Sequence, residues 1–265
     1  YESIHKNTNL TLKMIKKLIK GILEKFGYRI SRIDSNVYPI DIPKESIDDF
    51  KDVEQYTATS IERASALLNS VEYIVNNEII GDFVECGVWK GGSCMLMANK
   101  LNKLGDVDRE IWMYDTFDGM TEPTEDDVEV ETGIKGKDLL TGIQKNTDKY
   151  NMWAYAPIDE VKKNIASTGY PIDKVKFIIG KVEETLLEYK PQRIALLRLD
   201  TDWYESTKIE LDMLYPLISQ GGVLIIDDYG HFEGARKAVD DYFKKTKQAP
   251  LLNRIDYTGR LIIKK

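Results

Sequence analysis

The chain has few cysteines, no excess of positive charge and no long apolar run. No stretch approaches the roughly 18 apolar residues of a membrane-spanning helix, so none is expected to cross a bilayer. Cys86 and Cys94 are the only cysteines among 265 residues. They form no metal-ligand spacing, fit a reducing compartment and read as small buried thiols. Lys and Arg number 37 against 44 Asp and Glu, a net charge of −7. Nothing in that balance favours nucleic acid or an anionic membrane as partner. The opening YESIHKN lacks the apolar region of a secretory signal, so a cytoplasmic protein is expected. It also lacks Met, as a truncated start would.

What is present is ordinary for a globular chain: 42% hydrophobic and 31% charged residues. The length suits one large domain with a modest extension. Residues 10–30 carry Ile15, Leu18, Ile19, Ile22 and Phe26 at helical spacing with lysines between them. Such a helix covers a core or a partner subunit, or lies on a membrane surface. Pro39 and Pro43 mark a loop. Residues 60–77 read as a helix with Ser60 as N-cap. From there strands and helices alternate: DFVECGV, EIWMYDTF, VKFIIG, RIALLRLD and GGVLIIDDY are strands with helices between them, and LLNRIDYTGRLIIKK is two strands about a turn at Thr258–Gly259. The pattern predicts an α/β fold, a doubly wound, mostly parallel, Rossmann-like seven-stranded sheet ending in an antiparallel hairpin. The expected division is a helical extension, 1–55, and a main domain, 56–265. The connection from Asp115 to Val175 is too long for a simple crossover. Its portion at about 118–155, with the acidic run DGMTEPTEDDVEVE and the aromatics Trp153 and Tyr155, reads as a lid over an active site.

In open α/β sheets ligands bind beyond the carboxyl ends of the strands, and there the sequence concentrates its chemistry. The first strand runs into VECGVWKGGS. Gly87, Gly91 and Gly92 permit a tight turn and close approach of a ligand, but not with dinucleotide spacing. Glu85 would repel a pyrophosphate and could accept from an ammonium group. Asp115, ending the next strand, suits ribose hydroxyls. Together they describe a site for an adenosine with a cationic amino-acid tail, which S-adenosyl-L-methionine fits. Two further strands end in paired acids, in LLRLDTDWYES and GGVLIIDDYGH. Asp200, Asp227 and Asp228 would repel one another unless neutralised, and Mg²⁺ with open positions would do this while lowering the pKa of a substrate hydroxyl. Asp202 is placed to take that proton; its other reading is the N-cap of the helix at WYESTK. His231 is a rival base.

The stretches GDFVECGVWKGGS, MYDTFDGM, LRLDTDWYESTKIELDMLYPLISQGGVLIIDDYG and GARKAVDDYF resemble the macrocin O-methyltransferase (TylF/MycF) family, from about Tyr56 to the C-terminus. The resemblance implies a class I methyltransferase fold and S-adenosylmethionine-dependent methylation of a sugar hydroxyl on a glycosylated natural product or surface glycan. It implies Mg²⁺ on Asp200, Asp227 and Asp228, with Asp202 as general base. It places the cofactor against Tyr56, Thr57, Glu85, Gly87, Ser93, Asp115 and Asp200, and its adenine against the Gly180–Lys181 turn. The expected partners are a glycosylated small molecule and a second copy of the chain, with membrane contact by the basic helix left open. A phenolic, catechol-like or lipid-linked acceptor is the first alternative. A non-catalytic cofactor-binding protein is the second.

Overall fold

The structure, a computed structural model, describes residues 38–143 and 153–265 and, before them, positions 23 and 25. Apart from those two positions, the basic helix expected over 10–30 lies outside the described residues. A compact unit runs from Ile40 to Lys265. It therefore begins earlier than the boundary drawn after residue 55.

The sheet has seven strands: β1 Asp82–Cys86, β2 Ile111–Asp115, β3 Val175–Ile179, β4 Ile194–Leu199, β5 Ile218–Ile226, β6 Asn253–Arg254 and β7 Arg260–Ile263. Their spatial order is β3-β2-β1-β4-β5-β7-β6. β1 to β5 pair in parallel, and β7 returns antiparallel to both β5 and β6. The hairpin turn is fixed by Asp256, whose Oδ1 accepts from the N–H groups of Thr258 at 2.9 Å and Gly259 at 2.7 Å. The expected fold class is thus present. Chain order reverses between β1 and β4, the position where open α/β sheets form a ligand crevice beyond the strand ends.

The central strands read as continuous apolar runs because helices cover both faces. Every residue of β4 is buried, as are the last five of β5. The helices are α1 Lys44–Val53, α2 Ile61–Asn76, α3 Gly92–Leu104, α4 Gly136–Leu140, α5 Ile158–Ala166, α6 Val182–Glu188, α7 Tyr204–Leu214 and α8 Glu233–Lys245. Ser60 caps α2 as expected, accepting from the Arg63 N–H at 3.1 Å. The sequence reading passed over α1 and α4. α1 starts after Pro43, buries Phe50 and Val53, and packs on α2 and α3. Asp49 of α1 pairs with Lys103 of α3 at 2.5 Å. No helix among the described residues is long and apolar enough to cross a membrane.

Candidate active site

A cavity of about 410 Å³ opens at the carboxyl ends of β1, β2, β4 and β5. Of the residues singled out from the sequence, Tyr56, Thr57, Glu85, Gly87, Ser93, Asp115, Gly180, Lys181, Asp200, Asp202, Asp227, Asp228 and His231 line it, whereas Gly91 and Gly92 do not.

The glycines after β1 answer first to the chain itself. Gly87 has φ +81°, and a Cβ there would overlap the Asp200 carbonyl oxygen. A side chain on Gly92 would come within 2.6 Å of the Tyr56 carbonyl oxygen and Thr57 Cβ. The small residues thus let β4 exit beside β1 and let the Tyr56–Thr57 segment cross the N-terminus of α3. Asp115 Oδ2 accepts from the N–H groups of Val88 at 2.7 Å and Trp89 at 3.0 Å, and Oδ1 from Phe117 N–H at 2.7 Å. Burial raises its pKa, opposed by these three donors. The carboxylate therefore shapes the loops around the cavity and keeps acceptor capacity to spare.

Glu85 is 1% exposed. It accepts from Cys94 Sγ at 2.6 Å and pairs with Arg198 Nη1. Burial lifts its pKa to about 7, against the pull of Arg198. The carboxylate expected to meet a ligand's ammonium is therefore already paired within the protein, with an arginine that the sequence expectations leave out. That arginine, 3% exposed, also reaches Asp200 Oδ2 from Nη1 and Asp227 Oδ1 from Nη2, each at 2.6 Å. A second arginine, Arg63 on α2, pairs with the other oxygen of Asp227 and, through Nε, with Asp256 Oδ2 at 3.0 Å. Part of the neutralisation expected from a metal is thus supplied by guanidinium groups. A lone charge inside the apolar run LLRL was a readable signal for Arg198, because alternation puts it on the same face as Asp200. Arg63 had no such signal.

Oxygen atoms of Asp200, Asp227 and Asp228 lie within 4.8 Å of one another. Burial raises the pKa of Asp200 to about 6 while Arg198 pulls it down. Asp202 and Asp228 are pushed well above the usual carboxylate range, first by burial and then by neighbouring acids. Asp202 has φ +65°, a left-handed conformation. It is not the N-cap of α7: Trp203 holds that position without a side-chain bond. The Tyr204 N–H is instead accepted by Asp127 Oδ1 at 2.7 Å.

His231 sits on the loop after β5, its ring edge-on to Phe232 at 4.5 Å and Nε2 3.6 Å from Glu129 Oε1. Burial lowers its pKa. At the far end, Gly180, with φ +136°, turns the chain after β3 and donates its N–H to the Asp115 carbonyl at 3.0 Å. The insertion is built into the wall. Leu140, Trp203, Phe232 and Ala235 form a buried apolar cluster, with Met120, Leu139 and Trp153 packed against it. The Trp203 indole N–H donates to the Thr121 carbonyl at 3.0 Å. Trp203 and Phe232 were also missed from sequence, where each reads as an ordinary core aromatic.

Comparison with known proteins agrees with this geometry. Residues 44–264 match the family model for macrocin-O-methyltransferase (TylF). A Streptomyces olivaceus 8-demethyl-8-(2,3-dimethoxy-alpha-L-rhamnosyl)-tetracenomycin-C 4'-O-methyltransferase is 33% identical over 245 residues, covering 91% of this chain and 89% of its own. A Micromonospora griseorubida mycinamicin III 3''-O-methyltransferase is 28% identical over 252 residues, covering 94% of each. Among solved structures, the O-methyltransferase NovP aligns with a TM-score of 0.67 at 32% identity, covering 79% of this chain and 82% of its own. The calicheamicin methyltransferase CalS11 shares the fold at 15% identity, with a TM-score of 0.56 over 89% of this chain and 98% of its own. The sheet, the acids at its carboxyl edge and these relatives agree: the chain belongs to the macrocin-O-methyltransferase (TylF) family.

Proposed function

We propose that this protein is a Mg²⁺-dependent O-methyltransferase that moves a methyl group from S-adenosylmethionine to a sugar hydroxyl of a glycosylated small molecule. The observation that carries the reading is the excess of acid in one cavity. Glu85, Asp115, Asp200, Asp202, Asp227 and Asp228 line it against the cations of Arg63 and Lys181, with Arg198 buried behind Glu85, Asp200 and Asp227. Such a set calls for cationic ligands. The names of the relatives support the reaction and the acceptor class.

When bound, S-adenosylmethionine supplies an electrophilic methyl group and the divalent ion lowers the pKa of the acceptor hydroxyl. The donor set fits the ion, being clustered oxygens of Asp200, Asp227 and Asp228. Glu85, Ser93, Asp115 and the Tyr56–Thr57 segment would hold the methyl donor's tail and ribose, and Gly180–Lys181 its adenine. Asp202 receives the hydroxyl proton. Asp227 is held between its two arginines. The apolar wall of Trp203, Phe232, Leu139 and Leu140 excludes water from the acceptor side.

The test is a methyl-transfer assay with Mg²⁺ and three acceptors: p-nitrophenyl α-L-rhamnopyranoside, a methyl hexoside and catechol. Transfer to a glycoside hydroxyl is expected, together with calorimetric binding of S-adenosylhomocysteine. Tight NAD binding in place of S-adenosylhomocysteine would overturn the reading, and transfer to catechol alone would move it to phenolic acceptors.

A further inference from the structure

Within the acidic run of the insertion, one residue behaves unlike its neighbours. Asp127 is fully buried, at 0% exposure. Its Oδ2 accepts from Thr124, from the N–H at 2.6 Å and the hydroxyl at 2.8 Å. Its backbone carbonyl accepts the Gly136 N–H at 2.7 Å, which closes the insertion on itself. Its Oδ1 reaches out of the insertion to the Tyr204 N–H at 2.7 Å. Asp127 therefore caps α7 from 77 residues away in the chain. The start of α8 also closes on it, since a Cβ on Gly234 would overlap Oδ1. Two helix N-termini thus converge on one carboxylate.

The insertion grips the acid-bearing loops at several points. After β4, Trp203 is held by Thr121 and Tyr204 by Asp127. After β5, Val130 N–H donates to the His231 carbonyl at 2.8 Å, and Glu233 N–H to the Val128 carbonyl at 2.9 Å. Asp202, at φ +65°, directly precedes the two gripped residues of the first loop. A non-glycine residue keeps that conformation only where its surroundings over-determine it.

We propose that Asp127 is a positioning residue: by capping α7 from inside the insertion it fixes the left-handed turn that carries Asp202. The cover over the acceptor and the base would then be assembled as one piece. This rests on the reading of Asp202 as the base.

Two readouts test it. Hydrogen exchange needs no acceptor: Asp127→Ala should speed exchange across residues 201–206 and leave residues 85–93 unchanged. Unaltered exchange at 201–206 would overturn the proposal. With p-nitrophenyl α-L-rhamnopyranoside, Asp127→Ala should lower kcat by about 100-fold, the scale of a misplaced reacting group. Affinity for S-adenosylhomocysteine should stay within about twofold, because none of the residues assigned to it lies in the insertion or on α7. Asp127→Asn, which still offers one oxygen to Tyr204 but turns its amide N–H toward the Thr124 N–H, should recover part of kcat. In an Asp202→Asn background, Asp127→Ala should cost nothing further. Multiplying losses, or a rise in acceptor KM with kcat intact, would reduce Asp127 to a fastener of the insertion and overturn the proposal. If Asp127→Ala does not fold, Gly234→Ala gives the same readouts by crowding Oδ1 away from Tyr204, with the same non-additivity expected. Full turnover in Asp202→Asn alone would instead remove the base assignment, and this proposal with it.

Discussion

The two halves of the cavity use carboxylates in opposite ways. On the β1–β2 side each acid is held by donors of the protein. Asp115 is wrapped by the N–H groups of Val88, Trp89 and Phe117, and Glu85 is clamped between Cys94 and Arg198. On the β4–β5 side Asp227 takes both arginines, while burial and the neighbouring acids push Asp202 and Asp228 well above the usual carboxylate range. The first arrangement is complete and shapes loops. The second leaves buried charge that a bound cation would relieve. One residue type thus serves as scaffold on one side and as reactive group on the other, and the difference lies in how many donors the fold supplies.

The comparison breaks most visibly at Asp202. Asp202→Asn should lower turnover by about 10²–10⁴, the usual worth of a positioned general base. Calorimetric affinity for S-adenosylhomocysteine should stay near wild type. A matching loss of affinity would show that the two sides are not separate. Next in size is Arg198, which serves both sides at once. Arg198→Met leaves Glu85, Asp200 and Asp227 short of a cation and should cost about 3–5 kcal/mol in a denaturation experiment, as for a broken buried ion pair. A smaller loss is expected for Asp115→Asn, which turns an N–H donor toward donors. It should weaken S-adenosylhomocysteine by about 1–3 kcal/mol and leave the affinity for Mg²⁺ unchanged.

The smallest effect is one of pH. Glu85 in the folded protein titrates at about 7, above an ordinary Glu. The native state therefore holds a proton that the unfolded chain releases, so this contribution to stability is full at acid pH and is lost as pH rises through about 7. Asp200, raised to about 6, acts in the same direction. Denaturation of metal-free protein between pH 4 and 8 should show stability falling with pH, less steeply in Glu85→Gln. An equal slope in the variant would contradict the Glu85 assignment.

The sheet was legible because period and punctuation agreed. Runs such as IALLRL and VLII have one stable place in a parallel sheet, and Thr258–Gly259 one place in a hairpin. Strand-terminal acids were legible because strand ends are where α/β sheets hold ligands. The short α4 and the proline-flanked α1 were not, since their form depends on what they pack against. Arg63 stood unmarked among the other charged residues of its segment. Asp127 was hidden in an acidic run that reads as solvated. Its burial follows from Tyr204 and Gly234, and no local pattern announces so distant a partner.

The account turns on the claim that the β4–β5 acids form a cation site distinct from the methyl-donor site. Calorimetric titration of Mg²⁺ into chelator-treated protein, wild type and Asp228→Asn, with and without S-adenosylhomocysteine, tests it directly. The prediction is one ion per chain in the wild type, lost in Asp228→Asn, with S-adenosylhomocysteine still bound when the metal is stripped. Protein that takes up no divalent ion and keeps full turnover in EDTA would contradict it.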